Sequence, residues 1–170
     1  MSKNNFPDSF SFSASKKDTI NDYIFSEYEK NVNIKKLLRS KSKIIDSLIK
    51  KSWKENKLRE KDVTLIAVGG YGRAELFPQS DIDILILVET YWDANIRKNI
   101  ESFIADIWHL KTSIGHSVRT VEDCITVIND DVTVYTNILD SRFIIGNQSL
   151  YDNLLSKIKV KKIWSKRKFL

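Results

Sequence analysis

The chain of 170 residues is poor in the side chains that build disulfides and soft-metal sites, with one cysteine and two histidines. The single cysteine, Cys124, cannot form a disulfide within the chain, and a free thiol fits a reducing cytoplasm. So few sulfur and imidazole ligands also argue against a zinc or copper centre. Any metal bound by this chain is therefore expected to have oxygen ligands.

Long apolar runs and a secretory start are also missing. The longest apolar run, Ile82 to Val88, contains Asp83 and is far too short to span a membrane. Residues 1–17 are polar and aperiodic, without the charged-then-apolar pattern of a signal peptide. We expect no membrane association, a cytoplasmic location, and a flexible lead-in over residues 1–17.

Positive charge is in excess, with a formal net charge of +6. The excess is concentrated in two segments, Lys35 to Lys61 and Lys157 to Lys168. In the first segment the lysines alternate with apolar residues at helical spacing, which predicts a solvated helix face. We do not expect nucleic-acid binding; such a field would instead attract an anionic nucleotide or an acidic partner.

The most informative stretch runs from Val68 to Leu87. An apolar, partly β-branched run ends on Gly69 and Gly70, as a buried strand followed by a tight turn would. A second apolar run begins at Ile82, with Asp81 and Asp83 at its start. Side chains two residues apart on a strand leave the same face, so both carboxylates are predicted to point one way.

These residue types together predict phosphate chemistry. Two adjacent carboxylates at the edge of a core need a cation, and an all-oxygen site suits Mg²⁺. Gly69 and Gly70 leave backbone N–H groups that a phosphate can approach without meeting a Cβ. Arg73 offers a planar cationic fork for phosphate oxygens. A phosphate cradle beside a magnesium pair is typical of phosphoryl or nucleotidyl transfer.

The order of predicted elements is helices, strand, helical turn, strand, helix, strand, helices, which indicates an α+β domain with a small mixed sheet flanked by helices. We predict two bracing helices over residues 18–60, a catalytic domain over 61–158, and the start of a missing downstream helical region over 159–170. Lys50 to Asp62 is predicted to be a charged exit loop or a fraying helix end. Thr120 and Asp123 have the spacing of a capping box, and a single segment is expected over residues 131–145.

Three motifs carry a resemblance to a known family. They are Gly-Gly-Tyr-Gly-Arg-x-Glu-Leu-x-Pro-x-Ser-Asp-Ile-Asp over residues 69–83, Ile114 to Cys124, and Asp131 to Gly146. The first resembles the signature of the polymerase-β-like nucleotidyltransferases. Together they are similar to the amino-terminal catalytic domain of the bacterial PII uridylyltransferase/uridylyl-removing enzymes.

The resemblance implies a polymerase-β-type fold and Mg²⁺-dependent transfer of UMP from UTP to a tyrosine of the PII nitrogen-regulatory protein. It implies that Asp81 and Asp83 hold one or two Mg²⁺ ions and that Gly69 and Gly70 contact the phosphates. The family usually carries a third carboxylate on a later strand, for which Asp140 is the strongest candidate. The strand Ile114 to Thr120 offers no acid.

Arg73 and Ser80 each have two interpretations. Arg73 would neutralise the leaving pyrophosphate, or it would pair structurally with Glu75 or Asp81. Ser80 would support a metal-bound oxygen, or it would cap the turn before Asp81. Glu75 itself is predicted to be structural.

His116 and Arg119 are possible accessory residues. His116 would pack or support neighbouring groups, would orient a phosphate together with Arg119, or would assist proton removal from the acceptor hydroxyl.

The family's enzymes continue, after a Trp-x-x-x-x-Phe stretch like Trp164 to Phe169, into helical phosphohydrolase and ligand-sensing modules. This chain stops at Leu170. We therefore expect a truncated form, or a site that works without that control. Two alternatives remain open: an adenylyl-transferring relative, and an inactive remnant that binds a nucleotide or a partner protein.

Overall fold

Four strands form one mixed sheet in the computed structural model, which describes residues 16–89, 93–110 and 113–161. In chain order the strands are β1 (Val63–Ala67), β2 (Ile82–Val88), β3 (Ile114–Arg119) and β4 (Arg142–Gly146). Their order across the sheet is β3-β2-β1-β4. Strand β1 is antiparallel to β2 and β4, whereas β2 is parallel to β3. A small mixed sheet among helices confirms the predicted fold class.

Seven helices accompany the sheet in the described part of the chain. They are α1 (Lys16–Glu29), α2 (Ile34–Glu55), α3 (Gly69–Gly72), α4 (Ala94–Trp108), α5 (Val121–Asp130), α6 (Val132–Leu139) and α7 (Gln148–Lys161). The short helix α3 lies between β1 and β2, at the position where the sequence predicts a glycine turn. Across the described residues, no helix combines the length and apolarity that crossing a membrane requires.

Strand β2 is buried on both faces, which explains its nearly continuous apolar sequence. One face packs with α2 and α4, and its β2 members are Ile82, Ile84, Ile86 and Val88. The other face packs with α5, α6 and α7, and its β2 members are Leu85 and Leu87. The sheet therefore separates two hydrophobic cores, and alternation along β2 decides which core each side chain enters.

Helix α2 is capped at its start and packs against the sheet. The side chain of Asn33 accepts hydrogen bonds from the amides of Lys35 and Lys36 and so caps the helix. The apolar stripe of α2 is buried against the sheet, with Ile49 and Trp53 fully enclosed.

The expectation of a solvated lysine face is wrong for Lys41. This residue is only 7% exposed, and its Nζ donates to the backbone oxygen of Phe77 at 2.8 Å. The charged segment that follows also begins later than expected, because α2 continues to Glu55. Lys57, with φ at 55°, then turns the chain out of the helical direction.

The single segment expected over residues 131–145 is instead a helix followed by a strand. The side chain of Asp131 accepts from the amides of Thr133 and Val134 and so starts α6. Helix α6 ends at Leu139, and β4 begins three residues later at Arg142.

Both outer boundaries differ from the prediction by a few residues. Helix α1 begins at Lys16, inside the predicted lead-in, and α7 continues past residue 158 to Lys161. The rest of the lead-in and the stretch from Trp164 to Phe169 lie outside the described residues.

Candidate active site

The carboxylate pair lies where the chain enters β2. Asp83 alternates with Ile82 and Ile84, which enter the core beside α2 and α4, so its side chain leaves the opposite face of the sheet. The backbone of Asp83 is fixed by a hydrogen bond from the amide of Val68 to its carbonyl oxygen, at 3.0 Å. The end of β1 and the start of β2 are thereby held side by side.

The electrostatic environment of this pair disfavours the ionised form of Asp83. Burial raises the pKa of Asp83, and the nearby charge of Asp81 raises it further. Within the described part of the chain, neither carboxylate receives a hydrogen bond or an ion pair from the protein. Two acids with no protein donor, close enough to repel, form an oxygen site that fits a hard divalent ion such as Mg²⁺.

The glycine turn, which comprises Gly69 to Gly72, lies directly against the carboxylate of Asp83. Gly69 has φ of +56°, a conformation that favours glycine, and a Cβ there would lie 3.8 Å from Oδ2 of Asp83. The same Cβ would lie 3.3 Å from Oδ1 of Asn137, on α6. The space beside Gly70 is more open, because its nearest neighbours are Glu75 O at 3.8 Å and the Arg73 guanidinium at 3.9 Å. The turn is thus approachable at Gly70 and close to Asp83 at Gly69.

Arg73 adopts a structural pairing while staying beside the turn. Its Nε donates to Glu75 at 3.0 Å, and its Nη1 donates to Oδ2 of Asp140 at 2.5 Å. The pairing with Glu75 was one of the open alternatives, whereas Asp140 takes the place considered for Asp81. The Arg73 side chain remains 47% exposed, so part of the guanidinium still faces solvent near Gly70.

Asp140 is placed at the carboxyl end of α6 rather than on a strand. Its carboxylate is held by Arg73, and a Cβ on Gly72 would overlap its carbonyl oxygen. Across the described residues, no three His, Cys, Asp or Glu side chains cluster closely enough to hold a metal ion. The structure therefore brings Asp140 to the glycine turn through Arg73 and does not join it to Asp81 and Asp83 in one acidic cluster.

Ser80 closes the loop that leads into the carboxylate pair. Its amide donates to the carbonyl oxygen of Phe77 at 3.0 Å, which forms a turn directly before Asp81. The turn agrees with the structural interpretation of this position, and the hydroxyl has no protein partner among the described residues.

His116 lies on the other side of the sheet from the carboxylates. Strand β3 pairs Gly115 with Asp83 and His116 with Ile84, and paired residues share a face. The imidazole of His116 instead contacts the ring of Trp108, with centroids 5.7 Å apart. The structure does not bring His116 to Asp83.

Arg119 is also remote from the carboxylates. It pairs with Leu87, four residues further along β2 than Asp83. At strand geometry this is about 13 Å from the Asp83 position.

Two residues of the site were missed by sequence reasoning. Asn137 faces Gly69 and Asp83 from α6, and no local pattern marks it because its segment was expected to be continuous. Gly115 is opposite Asp83 in the register, and a Cβ on it would overlap the carboxylate. A glycine at the position where an acid was expected was visible in the sequence, but its function as a space for Asp83 depends on the pairing of β2 with β3.

Comparisons with known proteins identify the family of this chain. The family model described as "Nucleotidyltransferase domain" matches residues 47–145. The "Bifunctional uridylyltransferase/uridylyl-removing enzyme" of Hydrogenovibrio crunogenus is 38% identical over 151 residues, covering 88% of this chain and 17% of that protein. The enzyme with the same name from Haemophilus influenzae (strain PittEE) is 42% identical over 146 residues, covering 85% and 16%.

The chain thus spans about one sixth of the length of these curated relatives. A solved structure, "Crystal structure of the toxin-antitoxin with AMP-PNP", has a TM-score of 0.43 and 17% identity, covering 68% of this chain and 84% of that chain. The family model matches more than half of the 170 residues, including the glycine turn and both aspartates. This chain therefore belongs to the nucleotidyltransferase domain family and is similar to part of the bifunctional uridylyltransferase/uridylyl-removing enzymes.

Proposed function

We propose that this domain transfers UMP from UTP to a tyrosine hydroxyl of a PII nitrogen-regulatory protein, with Mg²⁺ held by Asp81 and Asp83. The observation that carries the proposal is the packing of the Asp83 carboxylate and the Asn137 amide against Gly69. Both groups lie within 4 Å of the position that a Cβ on Gly69 would occupy. A phosphate on the glycine turn would thereby lie next to the metal-binding oxygens. The uridylyl group is proposed because the relatives reported above are named "Bifunctional uridylyltransferase/uridylyl-removing enzyme".

In the proposed reaction the acceptor oxygen bonds to the α-phosphorus of UTP, and the bond from that phosphorus to the bridging oxygen of the β-phosphate breaks. The hydroxyl proton passes to solvent and pyrophosphate leaves. Mg²⁺, when bound by Asp81 and Asp83, would stabilise negative charge on the attacking and leaving oxygens. Asn137 adds a neutral polar group beside Asp83 without a third negative charge.

The phosphate contacts are assigned to the turn. Backbone N–H groups of Gly69 and Gly70 would bind the β- and γ-phosphates, because neither residue has a side chain to block the approach. The exposed part of the Arg73 guanidinium would neutralise the pyrophosphate, with Asp140 and Glu75 holding it in place. We propose no contact with substrate for His116 or Arg119, given their positions in the sheet.

The acceptor and the compartment follow from the resemblance. A PII tyrosine is the acceptor that the family implies, and a cytoplasmic location agrees with Cys124 being a buried free thiol. Ser80 is proposed to set the direction of the chain into Asp81 through its turn.

The test is incorporation of labelled UMP from UTP into purified PII protein, with Mg²⁺ and 2-oxoglutarate. Label should appear with the unmodified chain and fall at least 100-fold in the double variant Asp81→Asn/Asp83→Asn. The matched control is Asp22→Asn/Asp130→Asn, which makes the same charge change at two exposed sites and should keep full transfer. Equal transfer by both double variants would reject the metal assignment.

Gly70→Ala tests the phosphate contact separately. A Cβ at Gly70 meets only ordinary contacts at 3.8 and 3.9 Å, so the fold should be unchanged while UTP affinity falls about tenfold. Unchanged affinity would show that phosphate binds elsewhere. Binding of UTP without transfer would favour the inactive remnant, and tighter binding of ATP than UTP would favour an adenylyl-transferring relative.

A further inference from the structure

A network of three polar side chains lies beneath the glycine turn. Asp46 on α2 accepts from the Tyr71 hydroxyl at 2.6 Å and from both terminal nitrogens of Arg142, at 2.7 and 3.2 Å. Arg142 also donates to the carbonyl oxygens of Tyr71 and Gly72, each at 3.3 Å. Its guanidinium carbon lies 5.3 Å from the centroid of the Tyr71 ring. Helix α2, β4 and the glycine turn are thus joined through one carboxylate.

The turn needs this support because it is too short to hold its own shape. Helix α3 has four residues, and Val68 at its start makes no side-chain cap. A single helical turn is unstable without tertiary contacts, since most of its backbone groups have no partner within it. Arg142 supplies donors to the last two carbonyl oxygens of α3, and Asp46 fixes where that guanidinium lies.

Burial makes the network sensitive to loss of one member. Tyr71 is fully enclosed, and the side chains of Asp46 and Arg142 are 16% and 31% exposed. Burial and the neighbouring Asp46 raise the pKa of Tyr71 well above its usual value, so the hydroxyl stays protonated and donates. Removing the Asp46 charge would leave the Arg142 guanidinium half-buried without its counter-ion.

We propose that Asp46 is a positioning residue that holds the Gly69–Gly72 turn in its phosphate-binding shape through Tyr71 and Arg142. This inference rests on the function proposed above. Asp46 precedes the residues matched by the family model, which begin at 47, and it belongs to none of the three sequence motifs. Helix α2 therefore contributes to the site as well as to the core.

The experiment compares Asp46→Asn with Asp106→Asn. The control also removes a carboxylate between elements, because Asp106 on α4 accepts from Asn56, at the end of α2, at 2.6 Å. In Asp46→Asn an amide NH₂ group replaces one carboxylate oxygen and opposes the N–H donors of Arg142. The ion pair is therefore lost while the side-chain volume stays almost constant. Two properties are measured on folded protein: amide hydrogen exchange by NMR, and UTP affinity by calorimetry.

The exchange reporters are the amides of Gly72, Arg73 and Glu75, which donate to carbonyl oxygens of residues 68, 69 and 70 at 3.0, 3.1 and 2.9 Å. In Asp46→Asn they should exchange at least tenfold faster while amides of β2 are unchanged, and UTP should bind about tenfold more weakly. Asp106→Asn should leave both properties within twofold of the unmodified chain. Equal exchange and equal affinity in the two variants would overturn the proposal.

Tyr71→Phe gives an independent test with a smaller change. It should weaken UTP binding about threefold, and the double variant Asp46→Asn/Tyr71→Phe should bind no more weakly than Asp46→Asn, because both changes break the same network. If the losses of UTP affinity in the two single variants multiplied in the double variant, Tyr71 and Asp46 would act separately, and the shared role would be overturned. Faster turn exchange in Asp46→Asn, in a chain that binds no UTP, would support positioning by Asp46 and reject the proposed function.

Discussion

At the scale of single residues, the surroundings of Asp83 raise the free energy of its ionised carboxylate. Its carboxylate is half-buried, lies near Asp81, and has Gly115 opposite it in place of a side chain. No other residue of the described chain donates to it. The native fold therefore holds an acid whose ionised form is disfavoured by its surroundings.

This cost predicts a pH dependence of stability. The folded pKa of Asp83 is raised from 3.8, so its ionisation lowers stability as pH rises through the window above that value, and the penalty is complete above the folded pKa. Asp83→Asn removes the penalty. Its melting temperature at pH 7 without divalent metal should exceed that of the unmodified chain by about 1 to 3 °C.

The difference should shrink as pH falls towards 3.8, and differential scanning calorimetry across pH 4 to 7 measures it. Added Mg²⁺ should raise the melting temperature of the unmodified chain, because an ion that binds only the folded state stabilises that state. The melting temperature of Asp83→Asn should not change, because this variant lacks the proposed ligand. A variant less stable than the unmodified chain at pH 7 would contradict the prediction.

Asp140 is the second residue whose position allows a sharp test. Its carboxylate is already paired with Arg73, so Asp140→Asn should weaken UTP affinity about threefold by releasing that guanidinium. Mn²⁺ affinity without nucleotide, measured by electron paramagnetic resonance, should stay within twofold. Loss of Mn²⁺ binding comparable to that of Asp83→Asn would instead make Asp140 a third metal ligand.

At the scale of elements, caps decide where the helices over the site begin. The predicted capping box is confirmed: Thr120 Oγ1 accepts from the amide of Asp123, and the carboxylate of Asp123 accepts from the amide of Thr120. Donation from the Thr120 amide and hydroxyl to the Asp123 carboxylate holds the pKa of Asp123 below its usual value. Helix α5, which covers the face of the sheet that carries Asp83, is thereby started at Val121.

Thr120→Ala should lower the free energy of unfolding by about 1 kcal/mol, because it removes the acceptor for the Asp123 amide. Urea denaturation followed by circular dichroism measures the change. The control is Thr126→Ala in the same helix, where the hydroxyl only bonds back to the Glu122 carbonyl oxygen and alanine is the better helix former. Equal losses in the two variants would show that the cap does not carry the effect.

At the scale of the whole molecule, two cores on opposite faces of the sheet depend on different helices. Ile49 and Trp53 of α2 are fully buried in the core that contains Leu65 of β1 and Phe103 of α4. The rings of Trp53 and Phe103 meet edge to face at 5.4 Å. The bracing helix is therefore an integral part of the domain core.

Ile49→Ala should lower the free energy of unfolding by about 2 to 5 kcal/mol, as expected for a cavity in a closed core. The matched control is Ile34→Ala at the start of the same helix, where the side chain is 43% exposed and the loss should stay below about 1 kcal/mol. Chemical denaturation of both variants gives the comparison. Similar losses would mean that α2 does not pack as described.

Features that depend only on neighbours along the chain follow from the amino-acid sequence. They include the strand that ends before Gly69, the opposite directions of Asp83 and Ile84, and the capping box at Thr120, which are all relations across one to three residues. Side chains alternate between the two faces of any strand, and capping hydrogen bonds form within the first turn of a helix, so these relations do not depend on the rest of the molecule. The candidate metal pair could therefore be identified without a structure.

Contacts between residues far apart in the chain depend on the way the helices and strands pack. Arg73 pairs with Asp140, which is 67 residues away, and His116 is separated from Asp83 by the parallel register of β2 and β3. Asn137 and Asp46 reach the glycine turn from helices whose docking no local pattern encodes. These contacts depend on strand register and helix packing, because a shift of one residue along a strand moves every side chain to the opposite face.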